Sequence, residues 1–240
     1  MGRPTPRGDR LAVLLASCVA VLALAGCGAT PNASPAGTAA PDGSAAPVAS
    51  AAPSGPPPAA TPLPPGAFTF DLPTGWVAVP VTGSHDALVA RLREQNPAFA
   101  DSLAARLGSL SGTTTYVAFD ATPDAVRKGD LVMLVVTEVA LPDDVALQTF
   151  ATTIKSQVEK LVEGTVDLRQ ILVTAGQAFS LAYGAPVTRP DGKPGSAAIT
   201  QVLYVLPGRG YVMTFAVPPK RANDYAQVIA DIATSFTIRL

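Results

Sequence analysis

Between residues 28 and 66 the chain carries no aromatic residue and a single charge, Asp42. Ala, Pro, Ser, Gly and Thr fill nearly all of this stretch. Such a segment has too little apolar surface to offset the entropy lost on ordering, so it is expected to stay disordered and to act as an extended tether. Any fold must therefore be built after it. From residue 67 aromatics appear and regular hydrophobic periods begin. Residues 67–240 are enough for one domain with a sizeable core. No internal repeat is visible.

The segment before the tether reads as an export signal. Arg3, Arg7 and Arg10 give a positive start, and residues 11–25 are almost wholly apolar, broken only by Ser17 and Cys18. That layout is a signal peptide and is short for a membrane span. It ends in Leu24-Ala25-Gly26-Cys27. Small residues before a cysteine let a peptidase hold the chain extended, and the freed cysteine can be acylated on its thiol and its amine. The four residues resemble the lipobox of bacterial lipoproteins. This divides the chain into a signal peptide (1–26), a lipidated Cys27 with its linker (27–66) and a folded domain (67–240). Cleavage would leave Cys27 as the one cysteine, which excludes an internal disulfide and gives the lone thiol a use. The cleaved chain would hold 14 basic and 17 acidic residues, a net charge of −3. Nothing in that balance suggests nucleic acid. The expected location is the extracytoplasmic face of the bacterial cell membrane, held by the lipid on Cys27, and no feature calls for more than a monomer.

Within the domain, alternation and apolar runs predict strands over 68–72, 76–81, 113–119, 131–139, 166–174, 177–183, 197–206, 210–217 and 236–239. Helices are expected from Ser84, as N-cap, through the region ending at Gly112, with Asn96-Pro97 interrupting it. A further stripe of Leu147, Phe150, Ile154, Val158, Leu161 and Val162 predicts a helix ending at Gly164, and another helix is expected over 220–234. Residues 120–130 read as a polar loop and 189–195 as a turn. Runs of strands joined by short turns, with helices inserted, predict an α+β domain with an antiparallel β-sheet and helices packed on it.

Two stretches resemble a known family. The opening Phe68-Thr69-Phe70-Asp71-Leu72-Pro73-Thr74-Gly75-Trp76 is similar to that of PsbP-like domains. The strand 210–217, followed by Pro218-Pro219 and a helix with Tyr225, Ile229 and Ile232 that ends at Ser235-Phe236, is similar to their closing unit. The group includes the LpqN/LpqT-type bacterial lipoproteins. The resemblance implies an α/β/α sandwich and a non-catalytic role, either in envelope lipid handling or as an accessory subunit of a membrane complex.

The residues themselves offer little for catalysis, and no enzyme activity, metal or cofactor is expected. His85 is the only histidine and sits at a helix start beside Asp86, where a surface role is expected. One histidine and one lipidated cysteine cannot build a transition-metal site. Gly192-Lys193-Pro194-Gly195 lacks the spacing of a phosphate loop. In Gly108-Ser109-Leu110-Ser111-Gly112 a leucine stands where a nucleophilic serine is required. Asp120, Asp124 and Asp130 share one segment with Arg127 and Lys128 and are expected to be solvated rather than to hold calcium. Glu138, in an apolar strand, is expected to point outward near the strand end or, if inward, to be paired. Trp76, Tyr183, Tyr204 and Tyr211 are the candidates for a ligand groove. The function these features point to is a non-catalytic binding module for a hydrophobic ligand or envelope lipid, with docking on a membrane protein complex as the alternative.

Overall fold

The computed structural model describes residues 68–188 and 193–238. The signal peptide, the lipobox with Cys27, the linker and residues 189–192 of the expected turn lie outside the described residues.

Seven strands form one antiparallel sheet: β2 (Trp76–Val79), β3 (Thr114–Asp120), β4 (Met133–Ala140), β5 (Asp167–Val173), β6 (Gly176–Thr188), β7 (Pro194–Leu206) and β8 (Arg209–Val217). Their order across the sheet is β2-β3-β4-β8-β7-β6-β5. A second, two-stranded sheet pairs β1 (Phe68–Thr69) with β9 (Thr237–Ile238). The helices are α1 (Asp86–Gln95), α2 (Pro97–Gly108), α3 (Pro123–Lys128), α4 (Leu147–Val158) and α5 (Ala222–Thr234), the last preceded by a 3-10 turn at Pro219–Arg221.

Strand alternation sorts the side chains into two faces. On β4, Leu134 and Val136 face α5, which presents Tyr225, Ile229 and Ile232. Met133 and Val135 face the other way and pack with Val89, Leu92, Phe99 and Leu103 of α1 and α2. Val139 lies on that same face and joins Phe150, Ile154 and Val158 of α4. Helices α1–α3 and α4 thus sit side by side on one face, and α5 covers the opposite face. The antiparallel sheet with helices on it is the architecture expected from the sequence, in three layers.

Local chemistry explains the helix boundaries. Pro97 can neither donate to the preceding turn nor be preceded by a helical residue without strain, so α1 stops and α2 restarts. Asn96 caps the restart by accepting the Phe99 N–H at 3.2 Å, and its Nδ2 donates to the Val126 carbonyl at 2.7 Å, tying α2 to α3. Gly129 ends α3 at φ +70°, a conformation that disfavours any Cβ. Gly210 answers a different need. A Cβ there would lie 2.9 Å from Leu141 Cδ1 and 3.0 Å from Phe150 Cζ, so only glycine lets α4 approach β8 this closely.

Expectations for three segments are corrected. Residues 120–130 are not a solvated loop, because they contain α3 and bury Asp120 and Asp130. Asp124 alone of the three is only half-buried, paired with Arg127 and Lys128. The helix α4 ends at Val158, where Lys160 and Leu161 bond back three residues instead of four. That tighter winding swings Leu161 out to 55% exposure while Val162 stays buried. The cap position of α1 is His85, and Ser84 Oγ accepts the Asp86 N–H at 3.2 Å from one residue earlier.

Four tyrosines are shifted by their surroundings. Burial pushes the Tyr116 hydroxyl up to about 12 and also raises Tyr183 and Tyr204. Burial raises Tyr225 as well, helped by its hydrogen bond to Asp120. The unfolded chain therefore ionises first, from about pH 10. Their contribution to stability is complete below that pH and is lost as pH rises toward the folded values. The urea midpoint is expected to fall as pH is raised through 10 to about 11, and a midpoint unchanged over that range would contradict the assignment.

Candidate functional site

Two groups of buried polar atoms have opposite character. The first fastens α5 to the rest of the molecule. Asp120 accepts the Thr122 N–H at 2.8 Å on one oxygen and the Tyr225 hydroxyl on the other. Asp130 accepts Arg221 at 2.9 Å and Lys220 at 3.1 Å. Arg221 also donates to Asp224 at 2.7 Å and lies over the Tyr225 ring, 5.3 Å from its centroid. Bonds to Asp224 and then to Asp130 hold its guanidinium well above the usual range. Both oxygens of each buried carboxylate meet a protein donor, so this cluster clamps the start of α5.

The second group is unsatisfied. The ladder register places Val79, Val117, Val135, Thr214, Gln201, Leu181 and Leu168 side by side across all seven strands, on the face shared by α2 and α4. The first three belong to the α1–α3 core, and the two leucines pack with α4. Thr214 and Gln201 stand between them, at the junction of the two apolar clusters. Both are buried, Gln201 to 1% exposure. Gln201 Nε2 donates to Thr214 Oγ1 at 3.3 Å, while Gln201 Oε1 has no partner among the described residues. Thr137, diagonal to Thr214 across β4 and β8, is wholly buried, and its hydroxyl has no partner among the described residues. Tyr183, diagonal to Gln201 across β6 and β7, is buried, and its hydroxyl too has no partner among the described residues. Diagonal cross-strand neighbours lie about 7–8 Å apart at the backbone, within reach of long side chains. A polar seam therefore runs through an apolar face, offering one carbonyl acceptor and two hydroxyls.

The groove candidates distribute unevenly about this seam. Tyr183 belongs to it. Trp76, Tyr204 and Tyr211 lie on the opposite face, so the four do not line a common groove. The reason is strand parity: Tyr204 and Tyr211 oppose each other in the ladder, packed under α5 with Phe68 and Phe236. The Tyr204 hydroxyl is used, donating to the Ala233 carbonyl at 2.8 Å. His85 bonds through Nε2 to the Pro80 carbonyl at 2.6 Å. Glu138, half-buried on the α5 face, pairs with Arg209 at 3.3 Å. Among the described residues no three His, Cys, Asp or Glu side chains gather as a metal site, and no helix is long and apolar enough to cross a membrane.

Reasoning from sequence missed Thr137, Gln201 and Thr214. Each is a polar residue inside an otherwise apolar strand, which is a signal, but only the register shows that the three converge.

No protein-family model and no curated protein matches the chain. Among solved structures it is similar to cyanobacterial PsbP from Synechocystis sp. PCC 6803, with 14% identity, a TM-score of 0.45 and coverage of 72% of this chain and 87% of that one. It is similar to Mycobacterium tuberculosis LpqN, a protein involved in cell envelope biogenesis, with 13% identity, a TM-score of 0.45 and coverage of 74% and 87%. It is also similar to the Saccharomyces cerevisiae Ran-binding protein Mog1p, with 14% identity, a TM-score of 0.40 and coverage of 72% and 90%. The description of strands and layers stands on the register and packing above.

Proposed function

We propose that the chain is a lipid-anchored extracytoplasmic lipoprotein whose domain is a non-catalytic binding module for an envelope lipid or similar amphipathic ligand. The observation that carries this reading is the seam. An unpaired buried polar group costs about 1–3 kcal/mol, and three of them on one apolar face are an expense the fold alone does not require. A mostly apolar lining with an isolated polar acceptor suits a ligand with a long apolar body and one hydrogen-bonding group. Gln201 Oε1 accepts, so the ligand presents an N–H or O–H there; the Thr137 and Tyr183 hydroxyls lie on either side of that row, two residues along β4 and β6, and mark the polar line along which the ligand would run. The apolar body lies between α2 and α4. The anchor in this reading is Cys27, within the lipobox Leu24-Ala25-Gly26-Cys27.

The test compares the protein purified from membranes with its Gln201→Leu variant by native mass spectrometry. The expected result is a defined lipid mass on the parent and a several-fold lower occupancy on the variant. A parent that repeatedly carries no lipid, or equal occupancy in both proteins, sinks the reading.

A further inference from the structure

The two ends of the large sheet are not alike. At one end β2 has four residues and is flanked by Pro73 and Pro80, a short edge that resists further pairing. At the other end β5 has seven residues and no proline. Its Leu172 is 79% exposed, the most exposed large apolar side chain among the described residues. We propose that β5 is an interface on which a second copy of this chain pairs, antiparallel, about a twofold axis at Gln170.

The register follows from the turn. Val173 and Gly176 close a two-residue loop between β5 and β6. The residue that closes such a loop directs its N–H and C=O into the hairpin, and its neighbours alternate. Val173, Ile171, Arg169 and Asp167 therefore bond toward β6, whereas Leu172, Gln170 and Leu168 point their backbone groups outward. These three are centred on Gln170. Pairing two copies there sets Gln170 against Gln170 and each Leu172 against the other copy's Leu168, all at positions able to exchange hydrogen bonds. Leu168 and Leu172 share the α4 face, and Leu168 already packs on that core, so the pairing extends the core over the exposed leucine. Arg169 falls opposite Ile171 and Asp167 opposite Val173, so no like charges meet directly. Each Arg169 also keeps its own Asp167 at 2.6 Å. An axis at Arg169 would oppose two guanidiniums.

The chain's own linker is a poor alternative occupant. From Pro31 to Pro65 no more than five residues separate successive prolines, so every window of strand length lacks a ladder donor.

The test is oxidative crosslinking of the full chain in the cells that make it. Residues opposed in a hydrogen-bonded pair have Cα atoms about 5.5 Å apart, within disulfide reach. Gln170→Cys is expected to give a homodimer several-fold above both the parent and Arg169→Cys, whose side chain is exposed but does not face its own copy. Adding Leu172→Lys to Gln170→Cys is expected to reduce the dimer several-fold, and being an edge substitution it leaves the monomer folded, as circular dichroism would check. The crosslink is scored in membrane and soluble fractions alike, so a failure of anchoring does not decide the outcome. Equal crosslinking at positions 169 and 170, indifference to Leu172→Lys, or capture of a different protein in place of a second copy would overturn the proposal.

Discussion

Phe236→Ala is expected to destabilise the domain by about 3–5 kcal/mol, a cost typical of emptying a fully buried aromatic site. Phe236 is wholly buried and stacks on Tyr204 with centroids 4.2 Å apart and on Phe68 at 5.4 Å. Tyr211 adds a tilted contact at 6.0 Å. Truncation removes all three ring contacts and leaves a cavity under the junction of α5 and β9. Because β9 begins at the next residue, its pairing with β1 should loosen as well. Chemical denaturation would show a lower midpoint with an unchanged slope. A shift below about 1 kcal/mol would mean that the ring cluster is not part of the cooperative core.

Cys27→Ser has the largest expected effect on where the protein is found. In the proposed reading two or more acyl chains hold the chain to the bilayer. Each buried methylene contributes roughly 0.8 kcal/mol, so a doubly acylated protein is effectively irreversibly bound. Serine accepts no thioether-linked lipid, and among the described residues no helix is long and apolar enough to replace the anchor. The variant should lose incorporation of labelled fatty acid, and salt-washed membranes should retain a small fraction of the parent amount. Retention equal to the parent would remove the anchoring reading and leave the folded domain untouched.

The strands that make up the sheet were legible because apolar runs and turn residues are local signals. Residues 131–139, 197–206 and 210–217 each hold enough β-branched and aromatic side chains to read alone, and they match β4, β7 and β8 to within a few residues. What resisted reading was set at a distance. Asp120 and Asp130 looked solvated because their partners are Tyr225 and Arg221, 105 and 91 positions further on. The end of α4 was missed because Leu161 fits the helical stripe, and only the switch to three-residue bonding turns it outward. The seam depends on four strands, β4, β8, β7 and β6, meeting in one register. Thr137 adjoins Glu138, but a lone hydroxyl in an apolar strand carries no local sign of whether a partner awaits it.

The pairing of Phe68 with Ile238 and of Thr69 with Thr237 brings the first and last described residues together, joined also by a hydroxyl contact of 2.7 Å. A pull transmitted through the chain before residue 68 therefore reaches β1 first. The two-residue ladder with β9 and the ring of Phe68 would bear the load, and the seven-stranded sheet would feel it only after they yield. In mechanical terms the small sheet is the first attachment a tug would load, and the stacked rings of Phe68 and Phe236 tie that attachment to the layer under α5.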